Sequence, residues 1–166
     1  MHDDLKNLRH TASHLLAAAV LELYPDTKRA IGPSTDEGFY YDFDFKTSIS
    51  EEDLAKIEAK MEDILKSWDS MSGKEVSASE AKNLFKDEPY KLELIEEFSG
   101  DSKTLTVYTS GEYSDLCKGG HSENPRGDLK AFKLLSVAGA YWRGSEKNKM
   151  LTRIYGTAFP SRQELT

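Results

Sequence analysis

Two pairs of residues capable of metal-binding or acid–base chemistry are each spaced four positions apart. His10 and His14 lie in the otherwise small and apolar run RHTASHLL, and Cys117 and His121 lie in DLCKGGH. Together they use the single cysteine of the chain and three of its four histidines. Imidazole and thiolate are good zinc ligands, and imidazole is also an acid or base near neutral pH. The pattern predicts one shared site that either holds a metal ion or activates water.

Each of these side chains also has an ordinary structural explanation. Two histidines one helical turn apart often occur by chance, and a lone cysteine is commonly a small buried apolar residue. By the same reasoning Lys91 is a solvated surface lysine and Asp115 is a strand-end or turn residue. The use of nearly all cysteine and histidine in two similar pairs nevertheless favours a shared site.

The first pair requires a helix to position it. The pattern predicts a helix that begins near residues 3–4, where an aspartate can cap it, and ends before Pro25. Its apolar stripe runs at helical spacing. At about 100° per residue, His10 and His14 project from the opposite side, in line with Ala17. We therefore expect the histidines to face a cleft or a neighbouring sheet.

The rest of the chain alternates between helical and strand patterns. Aromatic residues alternate with polar ones over residues 39–45, which predicts a half-buried strand. Ser50 and Asp53 form a capping box that opens a second helix. Further helices are predicted over 77–88 and 89–99, and strands in TLTVYTS, EYSDLC, AFKLLSVAGAYW and MLTRIYGTAF. This order predicts an α+β fold, an antiparallel sheet with packed helices.

Composition restricts the class of protein. The 166 residues are 38% hydrophobic and 31% charged, typical of a soluble globular protein. The longest apolar run, LLAAAVLEL, is too short to cross a membrane, and no secretory signal precedes it. A single cysteine excludes an internal disulfide and predicts a cytoplasmic location. The net charge of −7 argues against a general nucleic-acid-binding surface, so any contact with nucleic acid is expected to be local.

Five segments carry a resemblance to a known family: HTASHLL, YKLELI, DLCKGGH, AFKLLSVAGAYWRG and MLTRIYGTAF. Over about residues 7–160 the chain is similar to the editing domain, the second N-terminal domain, of bacterial-type threonyl-tRNA synthetase. The resemblance implies the editing-domain fold that threonyl- and alanyl-tRNA synthetases share. It also implies that residues 1–166 form one editing domain, with an HxxxH helix lobe at about 1–99 and a CxxxH strand-rich lobe at about 100–160.

The resemblance further implies an activity, the hydrolysis of seryl-tRNA(Thr) at its aminoacyl ester. Serine lacks only a methyl group of threonine, and one methyl gives a synthetic site only about 1–3 kcal/mol of discrimination. The expected partners are the CCA end of tRNA(Thr) carrying serine and the remaining domains of the synthetase, with no membrane. The implied catalytic residues are His10, His14, Cys117 and His121, and the implied substrate-binding residues are Lys91 and Asp115.

Each of these residues has an expected role in the hydrolysis. His10 is the preferred general base, and His14 orients it. Cys117 and His121 hold the water and the substrate, whereas Lys91 and Asp115 anchor the ester or phosphate end and the serine amine.

Zinc is possible but is not expected to be obligatory. If it is bound, its ligands would be the two histidines of the helix together with Cys117 and His121. One alternative is a free-standing, zinc-dependent trans-editing hydrolase of the alanyl type, which Gly120 favours because the threonyl pattern usually has proline there. The other is a non-enzymatic zinc or tRNA-docking module.

Overall fold

The structure is a computed structural model of the chain. It describes residues 2–99, 105–117, 122–161 and 163. Gly120 and His121 lie outside these residues, so the expectations that involve them stay predictions.

Five helices and seven strands lie in the described residues, and their order is the one expected of an α+β fold. The helices are α1 (His2–Leu23), α2 (Leu54–Leu65), α3 (Ala78–Leu84), α4 (Pro89–Ser99) and α5 (Pro125–Asp128). The strands are β1 (Lys28–Arg29), β2 (Phe39–Asp44), β3 (Ser72–Val76), β4 (Leu105–Ser110), β5 (Tyr113–Leu116), β6 (Ala131–Tyr141) and β7 (Met150–Phe159). Across these described segments, no helix has both the length and the apolar character needed to cross a membrane.

The described strands form two antiparallel sheets, where the sequence predicted one. The larger sheet has the order β1-β2-β7-β6 and the smaller one the order β3-β4-β5. Each sheet joins strands from both sides of residue 100, because β2 pairs with β7 and β3 pairs with β4. The predicted α+β class, with helices packed on antiparallel strands, is confirmed.

Helix α1 is buried along the middle of its length. All residues from 11 to 20 are buried, so the helix is covered on more than its apolar stripe, as the sequence predicted. It packs against α2, β2 and β7. On β2 the alternating residues Phe39, Tyr41 and Phe43 are at most 1% exposed and belong to the same core as the helix. This packing brings one face of the larger sheet against the helix that carries the two histidines.

One local feature was predicted from the sequence and another was missed. The Ser50 backbone N–H donates to Asp53 Oδ2 at 2.9 Å, which confirms the capping box at the start of the second helical segment. Strand β3 was not predicted, because four of its five residues are exposed and show no apolar alternation.

Strand β6 forms one edge of the larger sheet, and part of that edge is covered by α2 together with the short 3-10 helix Glu51–Asp53 that precedes it. A register shift lies between Leu134 and Ser136. The Leu134 N–H donates to Glu58 Oε1 at 2.8 Å, and the Val137 N–H lies 3.5 Å from Glu51 Oε2. Two glutamates thus take the place of a neighbouring strand.

Candidate functional site

Helix α1 and the end of β5 bring three of the predicted site residues together. Cys117 Sγ lies 3.5 Å from His10 Nε2, although 107 residues separate them in the chain. The ring centroids of His10 and His14 are 5.0 Å apart. A potential ligand atom from each of the three residues lies within 4.8 Å of the others. The predicted meeting of the helix pair with the cysteine is therefore present.

Asp115 lies beside these residues and is completely buried. Its Oδ2 accepts hydrogen bonds from the Tyr41 hydroxyl at 2.6 Å and the Tyr113 hydroxyl at 2.7 Å. His14 Nδ1 lies 3.2 Å from the same oxygen. This carboxylate oxygen is a direct contact between the smaller sheet and the histidine helix.

The other oxygen of Asp115 faces cations. Oδ1 lies 2.7 Å from Lys91 Nζ and 3.9 Å from Arg29 Nη1, and it accepts the Leu116 backbone N–H at 2.8 Å. Counted over the described residues, five donors lie within hydrogen-bond distance of this carboxylate. Since two carboxylate oxygens offer about four lone-pair sites, these five donors occupy the acceptor sites of Asp115.

The ionisation of Asp115 follows from these contacts. Burial alone would raise its pKa, but the Lys91 and Arg29 cations and the His14 hydrogen bond hold the pKa well below the ordinary value of 3.8. Burial, with the Asp115 charge added, raises the pKa of Tyr41 and Tyr113 well above 10.0. The carboxylate therefore stays ionised while both phenols stay protonated and donate.

Lys91 is buried and is not the solvated lysine that its residue type alone suggested. Only 3% of the residue is exposed. Helix α4 directs its Nζ to Asp115 and to the Tyr41 hydroxyl, which lies 2.9 Å away. The structure thus brings Lys91 and Asp115 into direct contact.

The hydrogen bond to Asp115 also defines the chemistry of His14. With a proton on Nδ1 directed at the carboxylate, the neutral ring carries its lone pair on Nε2. That nitrogen can accept a proton or bind a metal ion. His10, His14 and Cys117 form a donor set suited to zinc, and a carboxylate behind a ligating histidine is a common arrangement at such sites. The donor set therefore fits zinc as well as metal-free acid–base chemistry.

Three residues of this site were not singled out from the sequence. Tyr113 lies two residues before Asp115 on the same strand, a spacing that places both side chains on one face. Tyr41 is the one residue with a hydroxyl among the buried positions of β2, and a buried phenol normally has a partner. Arg29 carried no such signal, because it lies in a strand of only two residues.

A family model matches part of the chain. Residues 105–155 match the model described as "Threonyl and Alanyl tRNA synthetase second additional domain". The matched range contains Asp115 and Cys117.

Curated relatives extend the similarity to most of the chain. The chain is 54% identical to the threonine–tRNA ligase of Thermotoga neapolitana over 160 residues. The alignment covers 95% of this chain and 24% of that protein. The chain is 52% identical to the threonine–tRNA ligase of Borrelia turicatae and 51% identical to that of Borreliella burgdorferi, each over 164 residues. Each alignment covers 98% of this chain and 28% of the relative. The chain thus spans about a quarter of the length of these relatives. The resemblance to threonyl-tRNA synthetase is confirmed.

Proposed function

We propose that the chain is the editing module of a threonyl-tRNA synthetase and hydrolyses the ester bond of seryl-tRNA(Thr). The observation that carries the proposal is the meeting of His10, His14 and Cys117 beside the buried, ionised Asp115. It occurs in a chain about half identical to threonine–tRNA ligases. Because one methyl group gives the synthetic site only about 1–3 kcal/mol of discrimination, a second site that removes serine is needed.

We assign the general base to His14, in place of the His10 preferred from the sequence. A water oxygen attacks the ester carbonyl carbon and gives its proton to His14 Nε2. The bond between that carbon and the ribose oxygen then breaks, and the ribose oxygen receives the proton. The Asp115 carboxylate at Nδ1 holds the ring orientation and stabilises the imidazolium, as the aspartate does in serine-hydrolase triads.

Lys91 and Asp115 take different roles in this proposal. The donors around Asp115 leave it little capacity for the serine amine, so Asp115 acts through His14. An ammonium group has three N–H donors, and two of those of Lys91 are directed at Asp115 and Tyr41. We assign the third to the ester carbonyl, where it would stabilise the negative charge that develops on the oxygen.

His10 and Cys117 complete the pocket. Their side chains are 3.5 Å apart, close enough to contact the same small group. We propose that they hold the attacking water and the seryl group, together with His121. These three residues would also form the wall that meets the additional methyl group of threonine.

The remaining domains of the synthetase would bind the body of the tRNA. The chain has a net charge of −7, whereas a surface that binds a nucleic-acid backbone is usually basic. We therefore propose that only the single-stranded CCA end, carrying serine, enters this domain.

A zinc-dependent hydrolase of the alanyl type is the second candidate. It is favoured by the separation of at most 4.8 Å among potential ligand atoms of His10, His14 and Cys117. Zinc in such a site would supply a Lewis acid for ester hydrolysis. The threonyl assignment is preferred because the relatives with 51–54% identity are threonine–tRNA ligases.

The decisive experiment offers the chain Ser-tRNA(Thr), Thr-tRNA(Thr) and Ser-tRNA(Ala) side by side, with and without a chelator. We expect hydrolysis of Ser-tRNA(Thr) far above the buffer rate and at least about fivefold slower hydrolysis of Thr-tRNA(Thr), since an additional methyl in a packed wall costs about 1–3 kcal/mol. Chelation should change the rate by less than about twofold, because no obligatory metal is proposed. Preference for Ser-tRNA(Ala) with loss of activity on chelation would establish the alanyl-type candidate. If no substrate is hydrolysed, the hydrolase proposal is wrong and the non-enzymatic docking module is favoured.

A further inference from the structure

Arg29 is a buried cation that contacts two separate parts of the fold at once. It is 7% exposed and lies on β1. Its Nε is 2.5 Å from Glu88 Oε2, and its backbone N–H donates to Glu88 Oε1 at 2.9 Å. Its Nη1 donates to the Ser114 carbonyl oxygen at 2.9 Å. The guanidinium is thus bound at both ends of its planar group.

These partners adjoin the two charged residues at the centre of the site. Glu88 directly precedes the first residue of α4, the helix that carries Lys91. Ser114 directly precedes Asp115 on β5. One guanidinium therefore connects the start of the helix bearing the cation to the strand bearing the carboxylate.

The charges in this region balance. The side chains of Arg29 and Lys91 are 8% and 4% exposed, and those of Glu88 and Asp115 are 12% and 1% exposed. Two cations and two carboxylates sum to zero. Since removal of one partner from a buried ion pair leaves an uncompensated charge, the effect of Arg29 on geometry must be separated from its effect on charge.

We propose that Arg29 is a positioning residue for the hydrolysis proposed above, on which this inference rests. Its planar guanidinium fixes the separation between Glu88 and the Ser114 carbonyl. Because Glu88 precedes the helix of Lys91 and Ser114 precedes Asp115, the distance between Lys91 and Asp115 is fixed as well. Asp115 in turn holds His14. A lysine at position 29 could supply the charge but not the two-ended geometry, because an ammonium is a compact point charge on a flexible stem.

The chain offers a matched control pair. Arg153 contacts Asp42 with Nε and Nη2 at 2.8 and 3.0 Å. Asp42 follows Tyr41 on β2, so its side chain points to the opposite face of the sheet. Arg153→Gln therefore breaks an arginine–carboxylate pair in the same sheet, away from the Asp115 side.

The kinetic test compares Arg29→Gln, Arg29→Lys, the double variant Arg29→Gln/Glu88→Gln and Arg153→Gln on Ser-tRNA(Thr). We expect Arg29→Gln to lower kcat by about 10–100-fold, a typical cost of losing a supporting partner, with KM within about threefold. Arg29→Lys should not restore kcat. The double variant, which removes both charges, should regain thermal stability without regaining kcat. Recovery of kcat together with stability, or an equal loss in Arg153→Gln, would overturn the proposal.

A second measurement does not depend on activity. A water-soluble acylating reagent is applied, and modification of Lys91 is measured by peptide mass spectrometry relative to the exposed Lys86. We expect Arg29→Gln to increase labelling of Lys91 severalfold and Arg153→Gln to leave it unchanged. Unchanged labelling in Arg29→Gln contradicts the positioning role even if the parent chain hydrolyses no ester, whereas an inactive parent with increased labelling contradicts only the proposed function.

Discussion

Two aspartates, Asp42 on β2 and Asp115 on β5, are buried to nearly the same extent, but their pKa values are shifted in opposite directions. Asp42 is 3% exposed and Asp115 is 0% exposed. Burial raises the pKa of Asp42 above 3.8, and its contacts with Arg153 offset this only in part. Burial acts on Asp115 in the same direction, but the cations of Lys91 and Arg29 and the His14 hydrogen bond bring its pKa well below 3.8.

The difference in pKa arises from the groups around each carboxylate, two cations and a histidine at Asp115 against one guanidinium at Asp42, and not from the degree of burial. Asp42 forms a two-point contact with one guanidinium. Asp115 has donors from α1, β2, α4 and its own strand. A single ion pair can satisfy a buried carboxylate, whereas a converging set of donors keeps it firmly ionised. His14 is one of the donors to Asp115, so the proton transfer proposed for His14 depends on this second arrangement.

The largest expected effect is on catalysis. Asp115→Asn removes the anionic partner of His14 Nδ1, so we expect kcat on Ser-tRNA(Thr) to fall by about 10²–10⁴-fold. The matched variant Asp42→Asn should stay within about threefold of the parent, because Asp42 points to the other face of the sheet. Steady-state deacylation measures both, with near-UV circular dichroism to verify folding. A folded Asp115→Asn that retains parental kcat would assign the base elsewhere.

A smaller effect is expected on stability when one phenol is removed. Tyr113 donates to Asp115 and Tyr90 donates to Asp44, each at 2.7 Å. Asp44 is only partly buried, so water can replace the Tyr90 hydroxyl. Tyr113→Phe should lower the free energy of unfolding by about 1.5–3 kcal/mol, the range for a hydrogen bond to a charged group, and Tyr90→Phe by less than about 1 kcal/mol. Urea denaturation tests this difference, and equal losses would show that the two carboxylates are equivalent.

The smallest expected effect is on how steeply the free energy of unfolding falls as the pH is lowered. Because Asp115 has a lowered pKa in the folded state, the unfolded chain binds its proton first as the pH falls below about 4, and stability is lost. Asp42 has a raised folded pKa, so its protonation on acidification stabilises the fold. Asp115→Asn should therefore flatten the loss of stability in acid and Asp42→Asn should steepen it, each by at most about 1.4 kcal/mol per pH unit. Thermal unfolding between pH 5 and 2 provides the measurement, and slopes that change in the same direction would contradict it.

The sequence predicted the buried elements of the fold better than the exposed ones. Helix α1 and strand β2 carry strong apolar periodicity because they pack in the core. Strand β3 is an exposed edge and has little such pattern, so it was not found. The second sheet was missed for the same reason, since β3 is one of its three strands.

The candidate site was predicted as a set of residues but not as a network. Spacing identified His10, His14 and Cys117, and the family resemblance added Lys91 and Asp115. Neither could reveal that Lys91 and Asp115 contact each other, because pairing between elements 24 residues apart is decided by tertiary packing.

The covered edge of β6 affects how separate molecules can associate. An open strand edge is a template on which another chain can add a strand, and such addition leads to aggregation. Here the irregular register near Leu134 interrupts the edge, and the carboxylates of Glu58 and Glu51 are directed at two of its N–H groups. An incoming strand would have to displace both glutamates and match the irregularity. This edge is therefore a poor starting point for intermolecular β-sheet growth.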